Sequence, residues 1–306
     1  MPHKPSLIVI LGPTASGKSG LAVAVAKRLG GEIISADSRQ IYRELTIGTE
    51  KISVEEMSGV PHHCIDIASP RRSFSVEQWR RHAQHAIASC FKRGSIPIVA
   101  GGTGLYIDAL LYGIEFPSVK PDMAVRRELE KMPAATLYAT LQKLDPERAR
   151  TIEKENPRRL IRAIEIARAL GKVPTLTHKN PLYDVTWIGI NPPFPLLEER
   201  IATRLDEALK KGLVAETRML RDTLGLSWKR INELGMEYRV CAQYVRGELP
   251  ESELRDTLIR EVRRYAKRQL TWLKRYKEVT WYDQASEALH SIPSSRSSEH
   301  FIHYRP

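Results

Sequence analysis

The segment Gly12-Pro13-Thr14-Ala15-Ser16-Gly17-Lys18-Ser19 constrains this chain more than any other, because it matches GxxxxGK[ST] in full and its flanks supply the context that pattern needs. Leu7 to Leu11 is an apolar run of strand length, and Gly17 to Leu29 reads as a helix closed by Gly30 and Gly31. A strand, a glycine-rich turn and a helix N-terminus in that order aim successive backbone N–H groups at one spot, where they hold a di- or triphosphate. Lys18 adds a point charge there and Ser19 a hydroxyl for Mg²⁺. Gly12, Pro13, Thr14, Ala15, Ser16, Gly17, Lys18 and Ser19 are therefore the candidate diphosphate or nucleotide site.

Downstream, short apolar runs keep alternating with helical patterns. Glu32 to Ser35 reads as a second strand, Cys64 to Ile67 as a third, Phe74 to Phe91 as a long helix ended by Gly94, and Ile96 to Ala100 as a buried strand running into Gly101-Gly102-Thr103-Gly104. That alternation predicts an α/β fold: a P-loop NTPase-like parallel sheet core with a helical insertion domain and a helical C-terminal part. Residues 117 to 185 are charged and helical in texture, broken by Pro121, Pro133, Pro146, Pro157 and Pro174, and are read as the insertion. Trp187 to Ile190 returns to the sheet, and helix follows to about Tyr276. The core is thus expected at 1 to 116 and 186 to 285. The serine-rich residues 286 to 306 are expected to be a disordered tail. A length of 306 residues accommodates two such units.

Composition sharpens the functional reading. With 42% hydrophobic and 27% charged residues the chain is globular rather than disordered. The early apolar run Ser6 to Leu11 falls far short of the roughly 18 residues a membrane span needs. Cys64, Cys90 and Cys241 are odd in number and widely separated, which suits neither a disulfide framework nor a CxxC metal site, so a reducing cytoplasm is expected. Lys and Arg number 48 against 36 Asp and Glu, and the net charge of +12 favours a polyanionic partner.

A P-loop NTPase ends a later strand in an acid that holds the metal-bound water. Here that strand ends Val99-Ala100-Gly101-Gly102-Thr103, and the acid instead follows strand two, as Asp37 in Ser35-Ala36-Asp37-Ser38-Arg39-Gln40. Sheets of this class place ligands at that carboxyl edge. Asp37 is either a base beside the phosphates or an N-cap for the segment after it.

Five ordered segments then carry a resemblance: GPTASGKS at Gly12 to Ser19, ISADSRQIYRELTIGTEK at Ile34 to Lys51, PHHCIDI at Pro61 to Ile67, AGGTGLYI at Ala100 to Ile107, and AKRQLTWLKRY at Ala266 to Tyr276. Together they resemble the tRNA dimethylallyltransferase (tRNA isopentenyltransferase) family from Leu7 to about Tyr282. The resemblance implies transfer of a dimethylallyl group from dimethylallyl diphosphate to N6 of adenine 37 in tRNAs, next to the anticodon, giving N6-isopentenyladenosine and diphosphate. It implies that the P-loop binds the donor's diphosphate with Mg²⁺ at Ser19, that no water needs activating, and that Asp37 takes the N6 proton. Arg204, in Arg200-Ile201-Ala202-Thr203-Arg204-Leu205, would join Lys18 in meeting charge on the leaving diphosphate.

The same resemblance assigns tRNA contacts to Asp37, Ser38, Arg39, Gln40, Thr103, Arg126, Arg158, Arg159, Leu160, Ile161, Arg162, Tyr238, Arg239, Lys267, Arg268 and Gln269. Arg158 stands where glutamine is more usual in the family, and Glu233 to Arg239 departs from the commoner GYRQ or GYKE form. The implied partner is the tRNA anticodon stem-loop, clamped by the insertion. A monomer with no obligate protein partner is expected.

The residues themselves point the same way. Arg255 to Lys277 holds nine basic residues and two acids, with Tyr265, Trp272 and Tyr276 interleaved, a pattern suited to phosphates and splayed bases. Asn156-Pro157 opens a helix with Arg158 and Arg162 one turn apart. An enzyme that alkylates a base must flip it from the stack, so a channel ending between Asp37 and the donor is expected. His62 and His63, lacking partners at metal-ligand spacing, are read as structural. Two other classes fit a P-loop beside a basic surface: a small-molecule kinase and a non-catalytic RNA-binding module.

Overall fold

The computed structural model describes residues 4–175 and 181–293. Six strands among them form one parallel sheet in the order β3-β2-β4-β1-β5-β6. The first half of the sheet unit runs β1 (Ser6–Leu11), α1 (Lys18–Leu29), β2 (Gly31–Ser35), α2 (Val54–Met57), β3 (His62–His63), α3 (Val76–Lys92), β4 (Ile96–Gly101) and α4 (Gly104–Leu111). Strands β1, β2 and β4 are buried almost throughout, as strands covered by helices on both faces must be.

A second compact unit, Ile114–Lys179, holds α5 (Met123–Leu129), α6 (Ala134–Leu144), α7 (Pro146–Thr151) and α8 (Pro157–Leu170) around its own core of Leu129, Leu137, Leu141, Leu160 and Ile164. Its upper boundary lies before the expected 185, since Asp184 already pairs with Ser6 in the sheet. Helix α8 begins as its sequence requires: Asn156 Oδ1 accepts from the Arg159 N–H at 3.3 Å and Pro157 takes the first turn, where its missing N–H costs nothing.

The chain then returns through β5 (Asp184–Ile190), α9 (Phe194–Lys211), α10 (Leu213–Asp222), α11 (Trp228–Leu234), α12 (Met236–Val245), α13 (Glu251–Leu273), β6 (Thr280–Tyr282) and α14 (Ala285–His290). Among the described residues no helix is long and apolar enough to cross a membrane.

Three expectations change. The third strand is His62–His63 rather than Cys64 to Ile67, because Cys64 and Asp66 take positive φ and turn the chain out of the sheet. Strand β6 was not expected; it pairs with β5, Ile188 opposite Thr280 and Ile190 opposite Tyr282. The expected disordered tail begins too early, since Ala285–His290 is helical, and Ala288 and Ile292 are buried in the core that includes α1. Arg28 fastens that helix by donating to the Leu289 and Ile292 carbonyls. The remainder of that tail, 294–306, lies outside the described residues.

The edge of the sheet is tied by Glu32. Its carboxylate accepts two bonds from Arg93, at 2.9 and 2.6 Å, and lies 2.7 Å from His63 Nε2. The Arg93 guanidinium, followed by His63 and Ser95, holds Glu32 down at about 2 against the opposing effect of burial. Glu32 therefore stabilises the fold above the ordinary carboxylate range, and that contribution is lost as pH falls from about 4.5 toward 2. Arg93 is half exposed, so water screens the pair and keeps the gain modest. Glu32→Gln is expected to lower the urea midpoint at neutral pH and to flatten its acid limb; an unchanged limb would show that other carboxylates set it.

Candidate active site

Three loops leave adjacent strands at the carboxyl edge of the sheet. The P-loop follows β1, the Asp37 turn follows β2, and Gly102-Thr103 follows β4, which lies between them. This is where the strand order reverses, and open α/β sheets form their ligand crevice there. A cavity of 490 Å³ opens at this edge, walled by Thr14, Lys18, Ser19, Asp37, Glu50 and Arg204 among others.

The P-loop curls through two left-handed positions, Ala15 at φ 61° and Gly17 at φ 90°. Alanine is unusual there, and the neighbouring contacts hold it. Gln269 of α13 is the principal one: its Oε1 accepts from the Thr14 N–H at 2.9 Å and its Nε2 donates to the Gly102 carbonyl at 3.1 Å. One buried amide thus links the phosphate loop to the end of β4. Lys18 Nζ donates to the Pro13 carbonyl at 3.1 Å, and burial lowers its pKa against the pull of Asp37 and Glu50.

Arg204, on α9, stands opposite. Its Nη1 donates to Thr14 Oγ1 at 2.5 Å and to Glu50 Oε2 at 3.1 Å, and its Nη2 to Glu237 Oε1 at 3.2 Å. Burial raises the Glu237 carboxyl, with Arg204 opposing it. Arg200, one helical turn earlier, reaches the Ser16 carbonyl at 3.4 Å.

The structure shows Asp37 in its capping role, at a turn rather than at a helix start. Oδ1 accepts from the N–H groups of Arg39 at 2.7 Å and Gln40 at 3.3 Å, capping the turn, while Oδ2 has no bonded partner among the described residues. The cap orients the carboxylate at a position that lines the cavity. Gly101 allows this approach, because a Cβ there would lie 2.2 Å from the Ala36 carbonyl oxygen. The Thr103 hydroxyl accepts from the Ser38 N–H at 3.1 Å and locks the same turn.

Several expected RNA contacts prove to be structural. Gln269 is buried, on the apolar stripe Leu254, Leu258, Val262, Ala266 and Leu273 of α13, and both ends of its amide are spent inside the protein. Leu160 and Ile161 lie in the core of the helical unit. Tyr238 is fully buried, and its hydroxyl donates to Glu216 at 2.7 Å. Two of the interleaved aromatics are also occupied: Trp272 and Tyr276 both donate to the carboxylate of Asp108, at 3.1 and 2.5 Å. Trp272 lies on the last turn of α13 and Tyr276 just beyond its end, an arrangement a charge count does not register.

Other residues keep a surface. Arg158, Arg159, Lys267 and Arg268 are exposed. Lys267 lies over the Phe194 ring at 4.6 Å and Arg268 over Tyr265 at 5.8 Å, postures that leave their charges facing solvent. Arg239 is paired with Glu261, and both Arg126 and Arg162 converge on buried Glu165. Arg39 donates to the Glu233 carbonyl, and Gln40 to the carbonyls of Thr49 and Glu50. Glu50, Glu216 and Glu237 carry site geometry although the sequence reading gave them no role.

Gln269→Ala would leave the Thr14 N–H and Gly102 carbonyl without these partners in a buried place, at about 1–3 kcal/mol. It is expected to lower the thermal midpoint and to weaken inorganic pyrophosphate in calorimetric titration. Unchanged pyrophosphate affinity would mean that the loop holds its shape without this tie.

A family model described as IPP transferase matches residues 40–276, and one described as isopentenyl transferase matches residues 5–69. The tRNA dimethylallyltransferase of Bacillus licheniformis is 41% identical over 288 residues, which is 92% of this chain and 91% of that protein. That of Caldanaerobacter subterraneus subsp. tengcongensis is 40% identical over 289 residues, covering 90% and 91%. The crystal structure of the full-length tRNA isopentenylpyrophosphate transferase from Bacillus halodurans superposes with a TM-score of 0.70 at 38% identity, covering 94% of each chain. A eukaryotic dimethylallyltransferase acting on tRNA gives a TM-score of 0.74 at 26% identity, covering 92% of this chain and 74% of that one.

Proposed function

Because the chain belongs to the IPP transferase family, we propose that it transfers a dimethylallyl group from dimethylallyl diphosphate to N6 of adenine 37 in tRNA. The observation that carries this reading is the pairing of a complete phosphate cradle with a carboxylate instead of a water-activating strand-end acid: Asp37 shares one cavity wall with Lys18, Ser19 and Arg204.

The chemistry follows from those groups. The N6 lone pair of adenine is delocalised into the ring, so the amine attacks well only if its proton departs as the new C–N bond forms. Asp37 Oδ2, oriented by the cap on Oδ1, accepts that proton. The allylic C–O bond breaks and its electron pair leaves with diphosphate, whose growing charge is met by the P-loop amides, Lys18 and Arg204. Water is not a reactant, which agrees with the absence of an acid after Ala100.

A divalent metal fits the donor set. The cavity wall offers the exposed Ser19 hydroxyl and the Glu56 carboxylate, both hard oxygen groups. Bound Mg²⁺, held by Ser19 and diphosphate oxygens, would supply charge neutralisation for the leaving group. The cluster Glu32, His63 and Cys90 has ligand atoms within 4.8 Å of one another, but it lies outside the cavity lining and its carboxylate is taken by Arg93.

For the RNA, exposed Arg158 and Arg159 on α8 and Lys267 and Arg268 on α13 supply cations for backbone phosphates. The target base is read by extrusion toward Asp37.

Asp37→Asn keeps the shape and the cap but removes the base, and is expected to slow single-turnover transfer by about 10²- to 10⁴-fold. Mass spectrometry of nucleosides from tRNA treated with protein and dimethylallyl diphosphate reads the product. A phosphorylated small molecule formed from ATP, with no prenylated adenosine, would replace this reading with a kinase. Excess chelator is expected to suppress turnover and weaken pyrophosphate binding; full activity under chelation would remove the metal from the reaction.

A further inference from the structure

Among the charges in the cavity wall, Glu50 is one that the transfer chemistry does not require. Glu50 lies opposite the P-loop, and its Oε2 accepts from Arg204 Nη1 at 3.1 Å. The same nitrogen donates to Thr14 Oγ1. A carboxylate therefore rests on the arginine beside the phosphate loop, where oxygens of a bound diphosphate would compete for the same donors. The field of Glu50 also reaches Lys18, where it opposes the effect of burial on the ammonium.

This placement is built into the backbone. Glu50 takes a left-handed conformation at φ 49°, an uncommon one for a side chain of its type. Its own carbonyl accepts from Gln40 Nε2 at 3.0 Å, and its N–H donates to the Ile47 carbonyl at 3.2 Å. The three amides just before it converge on one anion: Glu216 accepts from Thr46 at 3.0 Å, Ile47 at 2.9 Å and Gly48 at 3.1 Å. Tyr238 donates to Glu216 as well, and a Cβ on Gly48 would collide with its ring. The turn is thus pinned to α10 and α12 and aims the Glu50 side chain at Arg204.

Two carboxylates share that guanidinium, and they differ in freedom. The Glu237 side chain is 12% exposed, whereas that of Glu50 is 55% exposed. Glu50 can exchange Arg204 for water with little change in its own solvation, whereas the enclosed Glu237 cannot. An arriving anion would displace Glu50 and leave Glu237 to hold the back of Arg204.

Resting on the diphosphate reading of this cavity, we propose that Glu50 sets the affinity of the site: it is the resident anion of the donor-free state, holding Arg204 aimed at the P-loop and competing with diphosphate for it. The competition weakens donor and product alike, and so favours release of the diphosphate that the reaction leaves behind.

The test is calorimetric titration of the full chain with inorganic pyrophosphate and Mg²⁺, comparing wild type with Glu50→Gln and Glu50→Ala. Both variants are expected to bind about two- to fivefold more tightly, the scale of an exposed ion pair, with the difference shrinking as salt is added. A purely structural role, or service as a metal ligand, predicts the opposite sign. Unchanged or weaker binding in variants with an unchanged thermal midpoint would overturn the inference while leaving the diphosphate site in place. Wild-type protein that binds no pyrophosphate would instead overturn the diphosphate site itself, and this inference with it.

Discussion

A single buried amide, Gln269, holds the phosphate loop in working shape. Thr14 needs a partner for its N–H where the loop leaves β1, and Gly102 needs one for its carbonyl where β4 ends; the Gln269 side chain supplies both. Those two segments and α13 lie far apart in sequence. The cradle is therefore preorganised by a contact that exists only once the C-terminal helix has packed across the sheet edge. Preorganisation matters because amides already fixed in direction need no reordering to meet an anion.

Around that loop, charges of both signs are arranged so that each has an answer. Lys18 and Arg204 would be costly to crowd together in a partly buried place. Asp37 and Glu50 offset Lys18, and Glu50 and Glu237 offset Arg204. Asp37 spends one oxygen on its own turn, which leaves the other without a bonded partner among the described residues. Glu216 does for the 46–48 turn what Asp37 does for its own, using a carboxylate to gather backbone amides.

The positive surface was legible as a total of charge but not as a list of contacts. Nine basic residues between Arg255 and Lys277 marked α13 as a polyanion face, and Lys267 and Arg268 do remain exposed. The aromatics between them were another matter, since Trp272 and Tyr276 turn inward to Asp108. Leu160 and Ile161 likewise lie within an arginine-rich segment yet fill the core of the helical unit. For Leu160 and Ile161 helical periodicity carried the correct signal. Gln269 falls on the apolar stripe of α13, which is the one feature of the sequence that could have identified it as a tie rather than a contact.

By itself the sequence determined what depends on local backbone chemistry: the strand, glycine turn and helix start of the phosphate loop, the Asn156-Pro157 helix opening, the α/β alternation and the position of Asp37 after β2. These are legible because caps, turns and hydrophobic periods act over a few neighbouring residues. Only the tertiary structure decided which charges meet. Arg204 reaches Thr14, Glu50 and Glu237, and Gln269 reaches Thr14 and Gly102, through contacts between segments many residues apart. Such pairings are set by how helices pack across the sheet edge, and no local pattern in the chain encodes them.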